Sequence, residues 1–133
     1  MSTLIFLCVA NAARSQMAEG LARARAPSGW TVHSAGSHPG TLHPLAVQVM
    51  SEIGIDIRHH RSKGLDSVPL DTADVMVTLC AEEVCPVTPR VPVRLHWPLP
   101  DPAAVLGSAE ARLRAFRHVR DEIAKQLDEL WKR

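Results

Sequence analysis

No stretch of this sequence is apolar for long enough to cross a bilayer; a run such as Leu4-Ile5-Phe6-Leu7 ends after a few residues. That run is also too short for a signal peptide, and the N-terminus lacks a basic region followed by a small-residue cleavage site. Charge of one sign is equally scarce: 15 Lys and Arg stand against 14 Asp and Glu, a net charge of +1. This excludes a global basic field for nucleic acid or a membrane surface, so any anion site must be local. Cysteine is sparse and odd in number, at positions 8, 80 and 85. The missing span and signal read as those of a cytoplasmic protein, and in such a reducing compartment an odd count argues against a disulfide framework. No histidine partners His96 at the spacing of a zinc site. The seven histidines are scattered, and His59-His60 falls in a polar turn that reads as solvated. Internal repeats and low-complexity segments are absent as well.

What remains is the composition of one ordinary globular domain, 133 residues with 46% hydrophobic and 22% charged. One stretch stands out, Cys8-Val9-Ala10-Asn11-Ala12-Ala13-Arg14-Ser15, between an apolar run and a helix-like segment. Small residues let a backbone curl so that several N–H groups point inward at an anion. The helix behind adds its positive end. Arg14 supplies a planar fork that matches two oxygens of a tetrahedral anion. Cys8, at the centre of that field, should ionise more readily than a free thiol, and the thiolate is the nucleophile. The stretch thus pairs an anion cradle with an attacking sulfur.

Along the chain, strand and helix patterns alternate. Thr3–Cys8, Trp30–Ala35, Asp74–Leu79 and Val93–Trp97 read as strands. Ser15–Ala26 reads as a helix with Met17, Leu21 and Ala24 on one face, stopped by Pro27-Ser28-Gly29. Pro44–Ile53 reads as a helix carrying Leu45, Val49 and Ile53, with Gly54 as its C-terminal cap. Ile55–Asp71 is mixed, with a short helix near Leu65. A proline-rich loop spans 86–92. The last helix runs from about Glu110 to Trp131, with Ser108 as N-cap and Leu113, Phe116, Val119, Ile123, Leu127 and Leu130 as its apolar stripe. This order predicts an α/β domain with a four-stranded parallel sheet and helices on both faces. Right-handed crossovers then put every strand C-terminus on one edge. Cys8, Cys80 and Asp101 all fall there. If the first and third strands are neighbours, their ends lie about 5 Å apart and the two thiols can meet.

The whole chain resembles the thioredoxin-coupled arsenate reductases, which share the fold of the low-molecular-weight protein tyrosine phosphatases. The resemblance rests on Cys8–Ser15 with Gln16-Met17-Ala18-Glu19-Gly20, and on Ser34-Ala35-Gly36. It rests equally on Val77-Thr78-Leu79-Cys80 with Cys85-Pro86, on His96-Trp97, on Asp101-Pro102, and on Phe116 through Ile123. It implies that Cys8 attacks arsenate while Arg14 and the amides of Val9, Ala10, Asn11, Ala12, Ala13, Arg14 and Ser15 hold the oxyanion. Phosphate or sulfate would occupy the loop as analogues. Ser15 would donate to the Cys8 thiolate, Asn11 would fix the loop, and Asp101 would protonate the leaving oxygen. Cys80 would then attack the Cys8–arsenic adduct, and Cys85 would carry the disulfide outward to thioredoxin. No bound cofactor, nucleic acid or membrane is implied, and the chain is expected to be a monomer.

Three features depart from the family pattern. Ala10 and Ala12 stand where members often have Gly or His, and Ser or Thr, so a loop hydroxyl is lost. Cys80 and Cys85 are closer in sequence than usual; in an intact helix residues five apart lie about 7.5 Å apart along the axis, beyond the ~7 Å limit of a disulfide. Segment 81–84 should therefore be irregular or unwind on oxidation. Lys63 stands where some members carry an aspartate that helps hold potassium near Asn11, Glu19 and Ser34. It either replaces the ion or is a solvated surface lysine. The same Cys8, Arg14 and Asp101 could also serve a tyrosine phosphatase. Ala103, where such enzymes place an aromatic after Asp-Pro, and the Cys80/Cys85 pair speak against that.

Overall fold

The protein is described by a computed structural model covering residues 2–80 and 91–132. Its centre is β1 (Ser2–Cys8), where Leu4, Ile5, Phe6 and Leu7 are wholly buried. The apolar run divides by parity, as a strand covered on both faces must. Leu4, Phe6 and Cys8 pack into one core cluster, Ile5 and Leu7 into another. Beside β1 lie β2 (Trp30–Gly36) and β3 (Val75–Thr78), with β4 (Val93–His96) outside β3. All pairings are parallel and the order is β2-β1-β3-β4. The first and third strands are therefore neighbours, as the convergence of their cysteines requires.

Three α-helices cover the Leu4/Phe6 face: α1 (Arg14–Arg25), α2 (Pro44–Ser51) and α3 (Ala109–Trp131). The opposite face carries two short 3-10 turns, Leu65–Ser67 and Leu70–Thr72, whose leucines pack with Val68 and Met76. The turn at Leu65 is where the sequence places one. Ser108 caps α3 by accepting the Ala111 N–H at 3.1 Å. Phe116, Val119, Ile123 and Leu127 of its stripe are buried.

Two apolar faces end sooner than their spacing predicts. In α1 every residue from Arg14 to Ala22 is buried, because the helix touches β1, β2, α2 and α3. Ala24 lies past that contact and is exposed. The enclosure needs small residues: a Cβ on Gly20 would stand 2.8 Å from Ile57 Cγ2. In α2, Ala46, Val49 and Met50 are buried, but the helix stops at Ser51. Gly54 takes a positive φ of 80°, and the Ile55 N–H returns to the Met50 carbonyl at 3.1 Å. Ile53 is thereby turned out and is 41% exposed.

Candidate active site

Between β1 and α1 the chain makes one tight loop, with Asn11 in the left-handed region at φ 51°. Asparagine is among the few side chains that tolerate it. The loop's carbonyls are drawn outward. Val9, Ala10 and Ala12 accept the N–H groups of His38, Gly40 and His43 at 2.9, 3.1 and 2.9 Å. The Ser62 hydroxyl also donates to Ala10, at 2.7 Å, and Gln16 Nε2 donates to the Asn11 carbonyl at 3.1 Å. A trans peptide sets each N–H opposite the preceding carbonyl. Four outward carbonyls, at positions 9, 10, 11 and 12, therefore turn the amides of 10, 11, 12 and 13 inward. At the start of α1, Ala13 offers no side-chain cap and the first turn holds no acidic residue. That helix end is suited to an external anion. Gly36 makes the loop possible: a Cβ there would fall on the Val9 carbonyl oxygen and within 2.8 Å of the Asn11 nitrogen.

A polarised hydrogen-bond network runs under the loop to Cys8, which is 2% exposed. The Lys63 N–H donates to Asn11 Oδ1 at 2.8 Å, which identifies that atom as the acceptor of the amide. Asn11 Nδ2 then donates to Ser15 Oγ at 2.7 Å and to Ser34 Oγ at 2.9 Å. With its oxygen accepting from Asn11, Ser15 has its own hydrogen left for Cys8 Sγ, 3.1 Å away. Ser34 passes its hydrogen to Glu19 Oε1 at 2.6 Å. Gln16 braces the assembly: its Nε2 reaches Asn11 Oδ1 at 2.9 Å and the Arg61 carbonyl at 2.8 Å.

His60 is not solvated, contrary to the sequence reading. Its Nδ1 lies 3.0 Å from Gln16 Oε1 and 3.5 Å from Glu19 Oε2, and its side chain is 4% exposed. Burial lowers its pKa, against the pull of the Glu19 charge. Lys63 is no surface lysine either. Its Nζ sits 3.4 Å from Glu19 Oε1 and 3.1 Å from the Arg61 carbonyl, with the side chain 16% exposed. Sequence reasoning missed the positions of Gln16 and His60 in this network. The sole hint was Gln16 directly after Arg14-Ser15.

Arg14, Cys80 and Asp101 lie toward the same sheet edge. Buried Arg14 donates from Nη1 to the Leu99 carbonyl at 3.0 Å. The Leu79 N–H bonds the Leu7 carbonyl at 3.0 Å, and Leu7 pairs with Thr78. Cys8 is the last residue of β1, and Cys80 is the second residue beyond the end of β3 at Thr78. Cys8 and Cys80 are both buried and share one core cluster. Asp101 begins the turn Pro102–Ala104, its Oδ1 accepting the Ala103 N–H at 3.0 Å. Cys85 and segment 81–84 lie outside the described residues.

A parallel α/β sheet with a cysteine at the mouth of an amide-lined loop defines a thiol enzyme acting on a tetrahedral oxyanion. The chain belongs to the low molecular weight phosphotyrosine protein phosphatase family, whose model matches residues 3–133. Within it, the chain is 45% identical over 126 residues to the arsenate reductase of Halalkalibacterium halodurans, covering 93% of this chain and 91% of that one. Among solved structures, an arsenate reductase in the phosphate binding state superposes with a TM-score of 0.85 at 32% identity, covering 98% and 96% of the two chains. The thioredoxin-dependent arsenate reductase of Corynebacterium glutamicum gives 0.74 at 31% identity, over 99% of this chain and 61% of that one.

Proposed function

We propose that this protein reduces arsenate to arsenite through a relay of its three thiols, renewed by thioredoxin. The observation that carries the reading is the burial of two cysteines in one core cluster, Cys8 at the end of β1 beneath an anion cradle and Cys80 just beyond the neighbouring β3. Cys8 attacks arsenic while Arg14 and the amides of 9–15 hold the oxygens. The Cys8 S–As bond forms, one As–O bond breaks, and Asp101 gives the departing oxygen its proton so that it leaves as water. The Cys80 thiolate attacks Cys8 sulfur. The S–As electron pair stays on arsenic, which leaves as arsenite, and a Cys8–Cys80 disulfide remains. Cys85 attacks Cys80, frees Cys8 and forms a Cys80–Cys85 disulfide. The dithiol of thioredoxin returns the two electrons.

Hydrolysis of a phosphate ester needs no second cysteine, which disfavours a phosphatase role. Turnover of arsenate with thioredoxin, followed as NADPH oxidation through thioredoxin reductase, tests the relay in wild type and in each Cys→Ser variant. Loss of turnover in all three is expected. Full activity without Cys80 would refute the relay, and activity without Cys85 would hand the second exchange to an external thiol. The chain is further proposed to act as a monomer in the cytoplasm.

A further inference from the structure

His43 stands where four parts of the site meet. Its backbone N–H is the tie that draws the Ala12 carbonyl outward, at 2.9 Å. Its ring Nδ1 accepts the Leu45 N–H at 3.1 Å and so caps α2. The ring lies against Phe116 of α3, centroids 4.7 Å apart. The charged groups facing it are Arg112 on α3 and Asp101 at the turn after β4. Helix caps are normally serine, threonine, aspartate or asparagine, none of which gains a positive charge. An imidazole caps only while the accepting nitrogen is bare. With Nδ1 accepting, the neutral ring must carry its hydrogen on Nε2. An imidazolium would turn an N–H against the Leu45 N–H, and the cap would break.

We propose that His43 is a positioning residue through which protonation governs the anion loop: neutral, it caps α2 and keeps Ala12 turned outward; protonated, it releases Leu45 and slackens that tie. The proposal rests on reading the loop as an oxyanion site. Burial and the Arg112 charge favour the neutral ring, and Asp101 opposes them with a smaller effect. A protonated ring would also attract an anion through space. Salt separates the two effects, because it screens the attraction and leaves the cap untouched.

The test is the dissociation constant of inorganic phosphate against pH, in about 0.5 M salt, for wild type and His43→Asn. Asparagine caps a helix at every pH, and the titration of phosphate itself cancels in the ratio of the two constants. Wild type should bind less tightly relative to H43N as pH falls, with the ratio of constants rising about threefold or more between about pH 8 and about pH 5. A ratio that does not change with pH would overturn the proposal. Nitrogen NMR of the wild-type ring gives an answer even if H43N folds poorly. A neutral ring protonated on Nε2 is expected, and one protonated on Nδ1 would overturn the proposal. Failure of wild type to bind phosphate at any pH would sink the oxyanion reading itself, and this proposal with it.

Discussion

At Gly36 a single hydrogen atom decides whether the loop can close. A methyl group there meets backbone on the loop side, not a side chain that could swing away. Gly36→Ala should cost about 2 kcal/mol or more in urea unfolding and weaken phosphate binding at least about tenfold. Lys63 is the second residue with a sharp consequence. Its ammonium already stands beside Glu19, so a further cation there would meet like charge. Turnover should therefore be the same in potassium and sodium salts at equal ionic strength, and a several-fold preference for potassium would contradict this placement. Cys8, Arg14 and Ser15 were legible because they are neighbours in the chain and their chemistry is local. His60 and the Arg61 carbonyl reach Gln16 from 44 and 45 residues away. No local pattern encodes such a contact, which is why a buried histidine read as a solvated one.

Among the elements, α3 followed its sequence most closely. Its stripe keeps helical spacing from Leu113 to Leu130, and Ser108 stands at the capping position. Ser108→Ala should lower stability by about 1 kcal/mol, read from chemical denaturation, with phosphate affinity unchanged. Helices α1 and α2 were recognised as helices, with Met17, Leu21 and Val49 buried as read, but the last residue of each face, Ala24 and Ile53, is exposed. Periodicity assumes a helix lying on a surface, whereas α1 is enclosed through Ala22. In α2 the spacing of Leu45, Val49 and Ile53 runs past the end of the helix at Ser51, into the turn that Gly54 closes with its left-handed φ. Spacing marks which side chains could share a face; the turn decides how many do.

Over the molecule as a whole, the parallel sheet and the gathering of Cys8, Cys80 and Asp101 at one edge followed from the alternation of strands and helices. The strand order did not, because crossovers alone allow several. Three histidines, His33, His43 and His60, have pKa values lowered below 6.5, burial being the largest cause in each. In this window the unfolded chain binds more protons than the folded one, so stability falls as pH falls. The midpoint of thermal unfolding should begin to drop below about pH 6.5. A second decline should follow as the carboxylates held low by arginines are protonated: Glu52, beside Arg117 and Arg120, and Asp56, pushed down to about 2 by Arg58. A flat midpoint from about pH 7 to about pH 5 would contradict the histidine part. The outward ties on the loop, from 38–43 and 62, have one more consequence. The groups that grip the ligand belong to the main chain, and distant segments aim them. Randomising the half-buried side chains at 10 and 12 should leave many functional clones, while shortening 37–43 by one residue should leave none. Selection for altered oxyanion preference would therefore find its useful variation in that surrounding belt.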